Sequence, residues 1–244
     1  MSDVIRRLPP HERRRLLAVP DADAEELARR RLAGEPLQYL EGSAAFADFE
    51  VLVDERVLIP RPETEGLYEL VTQRLTEPPE IVVDLGTGSG VLAIALARRY
   101  PDAEVHAVDL SEAALQLAAE NALRNGVEVA FHQGDLLGAL PERLERRVDL
   151  LVSNPPYVAE AEWSRLPEDV RHEPRLALIA GPKGTEVLER IAEEAGRWMR
   201  PGGLLVCEIG EDQEAAVREM FSFLGETEVR RDLGDRPRYV VVQT

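Results

Sequence analysis

The sequence predicts an α/β fold in which a mostly parallel sheet of seven strands is covered by helices on both faces. From Glu80 onward, short apolar runs typical of buried strands alternate with longer segments that have helical periodicity. The first strand runs directly into a glycine-rich turn, residues 86–90, which opens a helix. The last two apolar runs are separated only by "GDRP", so this final pair is expected to be antiparallel.

Each strand of this sheet is expected in a run rich in β-forming apolar residues. In order, these runs are IVVDLG, EVHAVDL, VEVAFHQ, VDLLVSN, LLVCEIG, EVRRDL and RYVVVQT. The helices between them are expected at about 90–100, 111–125, 183–199 and 211–224. The segment 158–184 is too long for a simple connection and carries three prolines, so it is a candidate functional loop.

The N-terminal region, residues 1–43, is expected to form short helices and too little core to stand alone. Its second helix should begin at Asp21 or Asp23, because an aspartate side chain accepts hydrogen bonds from the free N–H groups of a first turn. Gly34 is placed to end that helix.

A β-hairpin is expected to connect this region to the main domain. Residues 44–62 alternate apolar and polar side chains around Asp54 and Glu55, and then reach a turn at residues 60–62. We therefore expect a helical region at 1–43, a hairpin linker at 44–62 and the main domain at 63–244.

The composition excludes several classes of protein. A net charge of −17 argues against a protein that coats a nucleic-acid backbone, and fits a cationic ligand or a basic protein partner better. No apolar run approaches a membrane span, and no apolar stretch follows the basic N-terminus, so we expect a cytoplasmic protein without membrane association. The single cysteine, Cys207, is expected to be buried, and the four histidines lack metal-site spacing, so no metal is expected.

The glycine-rich turn is expected to bind a ligand through its backbone. Glycines let the main chain approach a bound molecule closely, although some such turns only pack a helix against its strand. Asp109 ends the second strand nineteen residues after Gly90, close to the spacing at which an acid accepts hydrogen bonds from a ribose diol. The alternative for Asp109 is a helix N-cap beside Ser111.

Another acid, Asp135, ends the next strand. At this position the following residue, Leu136, can contact the edge of an adenine ring. The alternative is that Asp135 is only a turn residue.

The stretch "VSNPPYV" places a stiff, polar and aromatic corner after the fourth strand, beside the point where open α/β sheets bind ligands. Pro155 and Pro156 fix φ and remove two backbone donors, so carbonyl oxygens there stay free to accept from another molecule. Asn154 adds a side-chain oxygen and Tyr157 a flat ring. The alternative is a proline-stiffened turn without chemistry.

The spacing G-x-G-x-G differs from the dinucleotide pattern G-x-G-x-x-G, and no basic residue is placed for a pyrophosphate. Here the sequence resembles a class I methyltransferase of Rossmann-like fold, whose cofactor S-adenosylmethionine carries a sulfonium cation instead of phosphates. NPPY at this location is similar to that of methyltransferases acting on a nitrogen conjugated with a planar group, either the amine of adenine or the amide of glutamine.

From Glu35 to the C-terminus the sequence resembles the HemK/PrmC family, the peptide chain release factor glutamine methyltransferases. The resemblance rests on EPLQYLEG, VDERVLIPRPETE, VDLGTGSG, SNPPY, RHEPRLAL and CEIGEDQ, in that order. NPPY alone is shared with adenine methyltransferases, whereas LIPRPETE together with EPRLAL is not. The family implies methylation of the glutamine in a Gly-Gly-Gln loop of class I release factors, which tunes translation termination.

The residues and the resemblance together define the expected site. Cofactor contacts are expected from Gly86, Thr87, Gly88, Ser89, Gly90, Asp109, Asp135, Leu136 and Asn154. Substrate contacts are expected from Asn154, Pro155, Pro156, Tyr157 and Arg61, of which Asn154, Pro155 and Tyr157 are expected to be catalytic. Arg61 has an equally good alternative role, a salt bridge with Glu63 or Glu65 at a helix start.

Three other functions stay open at this stage. An adenine methyltransferase acting on DNA or RNA requires a basic groove or a separate recognition region, and the sequence shows neither. A glutamine methyltransferase for a ribosomal protein is not separated by sequence from the release factor enzyme. A catalytically silent binding protein is disfavoured by the intact NPPY and Asp109. The N-terminal region, which helps to bind the release factor in the family, is shorter here than usual.

Overall fold

The computed structural model describes residues 2–244. In chain order, its strands are β1 (Ser43–Phe46), β2 (Phe49–Leu52), β3 (Ile81–Leu85), β4 (Glu104–Asp109), β5 (Ala130–Gln133), β6 (Val148–Ser153), β7 (Val158–Ala159), β8 (Ile179–Gly181), β9 (Met199–Glu208), β10 (Glu226–Arg231) and β11 (Pro237–Gln243). Its α-helices are α1 (Asp3–Arg6), α2 (Pro10–Leu17), α3 (Ala24–Leu32), α4 (Leu37–Glu41), α5 (Pro62–Arg74), α6 (Val91–Arg99), α7 (Glu112–Arg124), α8 (Arg175–Leu178), α9 (Glu186–Trp198) and α10 (Glu214–Phe221). Within residues 2–244, none of these helices has the length and apolar character needed to cross a bilayer.

Seven strands form the central sheet, in the order β10-β11-β9-β6-β3-β4-β5. Strands β3, β4, β5, β6 and β9 are parallel, and β11 pairs antiparallel with both β9 and β10. The predicted α/β fold and its antiparallel end are therefore confirmed. The strand order reverses at β3, with β4 on one side and β6 on the other, so the loops that follow β3 and β6 leave the sheet side by side.

Helices cover both faces because alternate residues of each strand point to opposite sides of the sheet. Val82 and Leu150 pack in a cluster with α5, α6, α7 and the hairpin. Their neighbours Val83 and Leu151 pack on the opposite face with α9 and α10. Cys207 lies fully buried in this second cluster, as predicted.

Some predicted elements have different bounds for local reasons. Strand β5 begins at Ala130 rather than at residue 127, because the N–H of Val127 closes the end of α7 by donating to Ala122. Helix α9 begins at Glu186 rather than at residue 183. The Glu186 carboxylate accepts from the N–H groups of Lys183 and Gly184 (2.8 and 2.9 Å), which holds those two residues in a turn.

The predicted hairpin is confirmed, but its turn was placed wrongly. Strands β1 and β2 pair with Phe46 opposite Phe49, so the chain reverses at Ala47 and Asp48 and not at Asp54 and Glu55. Ala47 has a left-handed φ of +48°, which suits a two-residue hairpin turn. Residues 53–59 lie outside any strand of the described chain. Val53, Val57 and Ile59 are buried in the core, and the N–H of Val57 donates to the Asp54 carbonyl (3.1 Å), which closes a turn between the buried positions.

The N-terminal helices α1 to α4 gather around a small apolar cluster of their own, which contains Leu16 and Leu27. Asp23 is the N-cap of α3, and its carboxylate accepts from the N–H groups of Glu25 and Glu26 (2.9 and 3.3 Å). This decides between Asp21 and Asp23. The boundaries 1–43, 44–62 and 63–244 stay a prediction.

The long segment after β6 has ordered secondary structure. Strands β7 and β8 pair in parallel, with Val158 opposite Ile179, and α8 lies directly before β8. Two short 3-10 helices, Glu160–Arg165 and Val170–His172, fill the connection between the paired strands. The segment therefore forms a fixed wall above the carboxyl ends of the sheet.

The buried side chain of Asn121, on α7, fastens the hairpin to the main domain. It accepts from the N–H of Leu52 (2.7 Å) and donates to the carbonyls of Leu52 and Ser89 (3.0 and 2.9 Å). We expect Asn121→Ala to lower the free energy of unfolding by about 2–4 kcal/mol, because it leaves buried backbone groups without partners. Urea unfolding measures this loss. Gln116→Ala, on the exposed face of the same helix, is the control, and an equal loss in both variants would contradict the assigned role.

Candidate active site

The glycine-rich turn after β3 projects its backbone into a cavity. Gly86 and Gly88 have left-handed φ values of +67° and +54°, and the N–H groups of Gly86 and Thr87 donate to Val108 (2.8 and 3.0 Å). A Cβ at Gly86 or Gly88 would meet no atom within 4 Å, so both positions face open space. Gly90 differs, because a Cβ there would lie 3.0 Å from that of Ala118. The first two glycines leave room for a ligand, and the third packs α6 against α7.

Asp109, at the end of β4, lies beside this turn. Its two carboxylate oxygens accept from the N–H groups of Gly88 and Ser111, both at 2.9 Å. Ser111 itself is the N-cap of α7, and its hydroxyl accepts from the N–H of Ala114 (3.2 Å). Asp109 therefore holds the N-cap residue and is not the N-cap. Burial raises the pKa of Asp109, and the backbone donors oppose that shift. Asp109 keeps lone pairs free on the cavity side.

Asp84 is a site residue that the sequence reasoning missed. It is the penultimate residue of β3, is buried, and borders the cavity. Its carboxylate accepts from the hydroxyl of Thr87 (2.6 Å) and from the N–H of Ala93 (3.2 Å). Burial raises the pKa of Asp84 to about 7. The signal was present in VVDLGTGSG, where an acid interrupts an apolar strand immediately before the glycines.

The other predicted cofactor residues occupy two environments. Thr87 and Ser89 are buried in the turn and border the cavity. Leu136 also borders it, with a left-handed φ of +50° that turns the chain after β5. Asp135 is exposed and pairs with Arg190 of α9 (2.9 Å), another residue at the cavity wall.

Residues 154–157, the NPPY segment, follow β6 directly and lie next to the glycine-rich turn. The two strands are in register there, with Leu85 opposite Ser153, whose hydroxyl donates to the Leu85 carbonyl (2.7 Å). Asn154 donates through its side-chain nitrogen to the hydroxyl of Thr64 (3.0 Å). Within residues 2–244, no donor is bonded to the Asn154 side-chain oxygen or to the Pro155 carbonyl.

Asn154 and Pro156 border the cavity, whereas Pro155 is buried behind them and Tyr157 is turned to the side. The Tyr157 hydroxyl donates to Glu208 at the end of β9 (2.9 Å). Burial, followed by the charge of Glu208, raises the pKa of Tyr157, so the phenol keeps its proton.

Gln213 holds the NPPY segment from outside. Its side-chain nitrogen donates to the carbonyls of Tyr157 and Gly184 (3.1 and 3.0 Å), and its oxygen accepts from the N–H of Gly210 (2.9 Å). Gly184 approaches so closely that a Cβ there would lie 2.8 Å from the Tyr157 carbonyl oxygen. The segment is thus fixed at its backbone as well as at its side chains.

Arg61 pairs with Glu173, and not with Glu63 or Glu65 as the alternative role supposed. Glu173 is only 4% exposed, and its second oxygen accepts from the N–H of Ile59 (2.9 Å). The pair joins LIPRPETE to EPRLAL, two segments more than a hundred residues apart in the sequence. Arg61 does not border the cavity, and its expected contact with substrate stays a prediction.

These elements enclose one cavity of about 830 Å³ at the carboxyl ends of β3, β4 and β6. Its floor is formed by residues 86–89, 108–111 and 134–136. Residues 55–60 form one wall, and Pro174, Leu176 and Ala177 form the facing wall. The cavity extends from the glycine-rich turn to Asn154, so a ligand on the turn and a side chain at Asn154 can meet within it.

Known proteins resemble this chain in sequence and in fold. A family model described as the methyltransferase small domain matches residues 67–169. The release factor glutamine methyltransferase of Chlorobaculum tepidum is 45% identical over 84% of this chain and 73% of its own length. That of Moorella thermoacetica is 46% identical over 80% of this chain and 69% of its own length. The Thermus thermophilus 16S rRNA N2 G1207 methyltransferase, solved in complex with AdoMet and guanosine, is 23% identical, with a TM-score of 0.59 over 83% of this chain and 49% of that one.

The fold and the site define a class I methyltransferase, with the glycine-rich turn, the acidic strand end and the NPPY segment around one cavity. Sequence identity over most of the chain carries the assignment further. The chain belongs to the release factor glutamine methyltransferase family. The prediction of an S-adenosylmethionine-dependent methyltransferase of this family is thereby confirmed.

The buried carboxylate of Glu173 offers a direct test of the wall that it supports. We expect Glu173→Ala to lower the free energy of unfolding by about 2–3 kcal/mol, because the Ile59 N–H and the Arg61 guanidinium both lose their partner. Chemical denaturation measures the change. Glu168→Ala, an exposed position in the same segment, is the control and is expected to stay within about 0.5 kcal/mol of the parent protein. Equal stability of the two variants would show that the pair contributes nothing.

Proposed function

We propose that this protein transfers a methyl group from S-adenosylmethionine to the side-chain amide nitrogen of the glutamine in the Gly-Gly-Gln motif of a class I peptide chain release factor, and thereby modulates translation termination. One observation carries the proposal. The NPPY segment keeps two oxygens without a protein donor, the Asn154 side-chain oxygen and the Pro155 carbonyl, and Asn154 borders the cavity that begins at the glycine-rich turn.

The NPPY segment fits an amide nitrogen as the acceptor of the methyl group. The lone pair of such a nitrogen is delocalised, so the site must orient it and make it more electron-rich. The Asn154 side-chain oxygen and the Pro155 carbonyl can accept from its two N–H groups. Because the nitrogen gains positive character during transfer, these oxygens stabilise the transition state more than the ground state.

Positioning supplies the rest of the chemistry. When bound, S-adenosylmethionine supplies an electrophilic methyl group on a sulfonium sulfur. The chain holds the acceptor nitrogen in line and excludes water, so no covalent intermediate with the protein is needed. The amide proton leaves to water after transfer, and no general base is assigned. Tyr157 is proposed to cover the flat face of the amide, its ring fixed by the hydroxyl contact with Glu208.

The residues present fit the cofactor. Gly86 and Gly88 leave open space where any side chain would intrude, and Asp109 beside them has lone pairs available for a ribose diol. Leu136 at the cavity wall is proposed to contact the adenine, with the exposed Asp135 at the same edge. The buried Asp84 lies close to the turn, where a cationic ligand would favour its ionised form.

The charge of the chain supports a protein substrate. A net charge of −17 favours a basic protein partner and disfavours a phosphate backbone. Together with the family membership, this places the release factor ahead of DNA or RNA as the methyl acceptor. A glutamine of a ribosomal protein fits the same site chemistry.

A labelling experiment separates these acceptors. The protein is incubated with methyl-labelled S-adenosylmethionine and, in parallel, with purified release factor, ribosomal proteins and nucleic acid, and the labelled site is located by peptide mass. We expect label on the Gly-Gly-Gln glutamine only. Absence of label there would reject the proposed function, and label in nucleic acid or a ribosomal protein would identify the alternative substrate.

Asn154 tests the amide-binding role. We expect Asn154→Ala to lower kcat by roughly 10²–10³, by analogy with the removal of one preorganised hydrogen-bond partner of a transition state. The affinity for S-adenosylmethionine, measured by calorimetry, is expected to change much less. Comparable losses of turnover and cofactor affinity would contradict the role assigned to this side chain.

Asp109 tests the cofactor-binding role, and here the order of effects is reversed. We expect Asp109→Ala to raise the Kd for S-adenosylmethionine roughly 10–100-fold, because the turn and the ribose each lose hydrogen bonds to one carboxylate. Calorimetry measures the Kd. Asp102→Ala, just before the other end of β4, is the matched control with unchanged affinity. An unaltered Kd in Asp109→Ala would remove the ribose assignment.

A further inference from the structure

Two buried polar residues lie beside the NPPY segment, and their joint effect on Asn154 goes beyond the contact of Glu208 with Tyr157. Thr64 comes from the PRPETE stretch and lies in the first turn of α5, and Glu208 comes from the CEIG stretch and ends β9. They are 3% and 1% exposed. Burying a carboxylate this deeply costs folding free energy, and only hydrogen bonds or opposite charges around it offset that cost.

Both oxygens of Glu208 face the NPPY segment. One accepts from the Tyr157 hydroxyl (2.9 Å), and the other accepts from the Thr64 hydroxyl (3.2 Å). The Thr64 oxygen in turn accepts from the side-chain nitrogen of Asn154 (3.0 Å). A continuous chain of hydrogen bonds therefore runs from Glu208 through Thr64 to Asn154, and a branch runs to Tyr157.

The donors and acceptors in this series of hydrogen bonds have a defined order. When Glu208 is ionised, its carboxylate only accepts hydrogen bonds, so the single proton of the Thr64 hydroxyl points to Glu208. The hydroxyl then offers only lone pairs to Asn154, and only the NH₂ end of that amide can meet a lone pair. The two ends of an amide have nearly the same shape, so packing alone cannot choose between them. The hydrogen-bond chain makes the choice and leaves the Asn154 oxygen for the substrate.

The surroundings of Glu208 act on its charge in both directions. Burial raises its pKa to about 7, whereas the Tyr157 hydroxyl, the nearby Arg238 and the Thr64 hydroxyl oppose the shift and favour the ionised form. Tyr157 keeps its proton for the bond to Glu208, since its own pKa is raised by burial and by the charge of Glu208.

We propose that Thr64 and Glu208 are positioning residues for methyl transfer, which set the side-chain amide of Asn154 with its oxygen toward the substrate and hold Tyr157 in place. The inference rests on the proposed function and adds to it the reason why Asn154 presents an acceptor rather than a donor. Without the hydrogen bonds from Glu208 through Thr64, the Asn154 amide can turn its NH₂ to the substrate and repel the N–H groups that it must bind.

Thr64→Val and Thr64→Ser form the central test. Valine keeps the shape of threonine and removes both hydrogen bonds, so we expect kcat to fall roughly 10–100-fold, with the KM for release factor and the Kd for S-adenosylmethionine nearly unchanged. Serine keeps the hydroxyl and should restore kcat to nearly the wild-type value. Thr72→Val on the same helix, whose hydroxyl only contacts the Glu69 carbonyl, is the matched control.

Glu208→Gln separates positioning from folding. A glutamine can donate to Thr64, which frees the hydroxyl proton to point at Asn154 and favours the turned amide. We expect kcat to fall at least as far as in Thr64→Val, while the unfolding temperature is no lower than in the wild type, because a buried charge has been removed. Glu219→Gln, exposed on α10, is the control. Loss of stability that matches the loss of kcat would overturn the inference.

A double-mutant cycle shows whether Thr64 acts through Asn154. In an Asn154→Ala background, Thr64→Val should cost little further turnover, whereas independent roles would give additive losses. The side-chain NH₂ signal of Asn154, followed by NMR without any substrate, should exchange faster with water in Thr64→Val than in Thr72→Val. Wild-type kcat and unchanged exchange in Thr64→Val would overturn the positioning role of Thr64. If the wild-type enzyme leaves the Gly-Gly-Gln glutamine unlabelled, the proposed function is rejected instead. The NMR result would then still decide whether Thr64 orients Asn154.

Discussion

The parallel pairing of β3 with β6 is the constraint on which the site depends. Because Leu85 lies opposite Ser153, the glycine-rich turn and the NPPY segment leave the sheet at the same level and on neighbouring strands. Each segment is unremarkable alone, since one is a turn and the other a proline corner. Their adjacency turns two local backbone features into one cavity, in which a ligand held by the turn can reach a group held at Asn154.

Buried polar side chains then fix the loops around that cavity. Asp84 holds the glycine-rich turn, Glu173 holds the wall at Ile59 and Arg61, and Glu208 holds Thr64 and Tyr157. Asn121 does the same for the hairpin. Apolar packing alone leaves loops many similar arrangements, whereas a buried acceptor tolerates only those in which its donors are present. Apart from Asn121, these anchoring residues lie in the stretches that resemble the family.

The sequence predicted the parts of the structure that depend on local pattern. Strand periodicity predicted the sheet, and the residue types at 86–89, 109 and 154 indicated positions that border the cavity, because glycine widens and proline narrows the choice of backbone conformations wherever they stand. It misplaced the hairpin turn, since the apolar residues Val53, Val57 and Ile59 are buried in the core without strand pairing. It also missed Asp84, Thr64 and Glu208 and the Arg61–Glu173 pair. Thr64, Glu208 and the Arg61–Glu173 pair depend on contacts between residues far apart in the chain, and no spacing records those contacts. Asp84 differs, because it contacts its near neighbours Thr87 and Ala93.

The position of β9 has a consequence for synthesis on the ribosome. This strand lies between β6 and β11, in the middle of the sheet, yet it is made after three quarters of the chain. Until it emerges, the free side of β6 is an open edge able to pair with other chains. The nascent protein also lacks Glu208 during this time. A product truncated before β9 would therefore carry the complete NPPY segment but expose the edge of β6 and lack the acceptor for Thr64 and Tyr157.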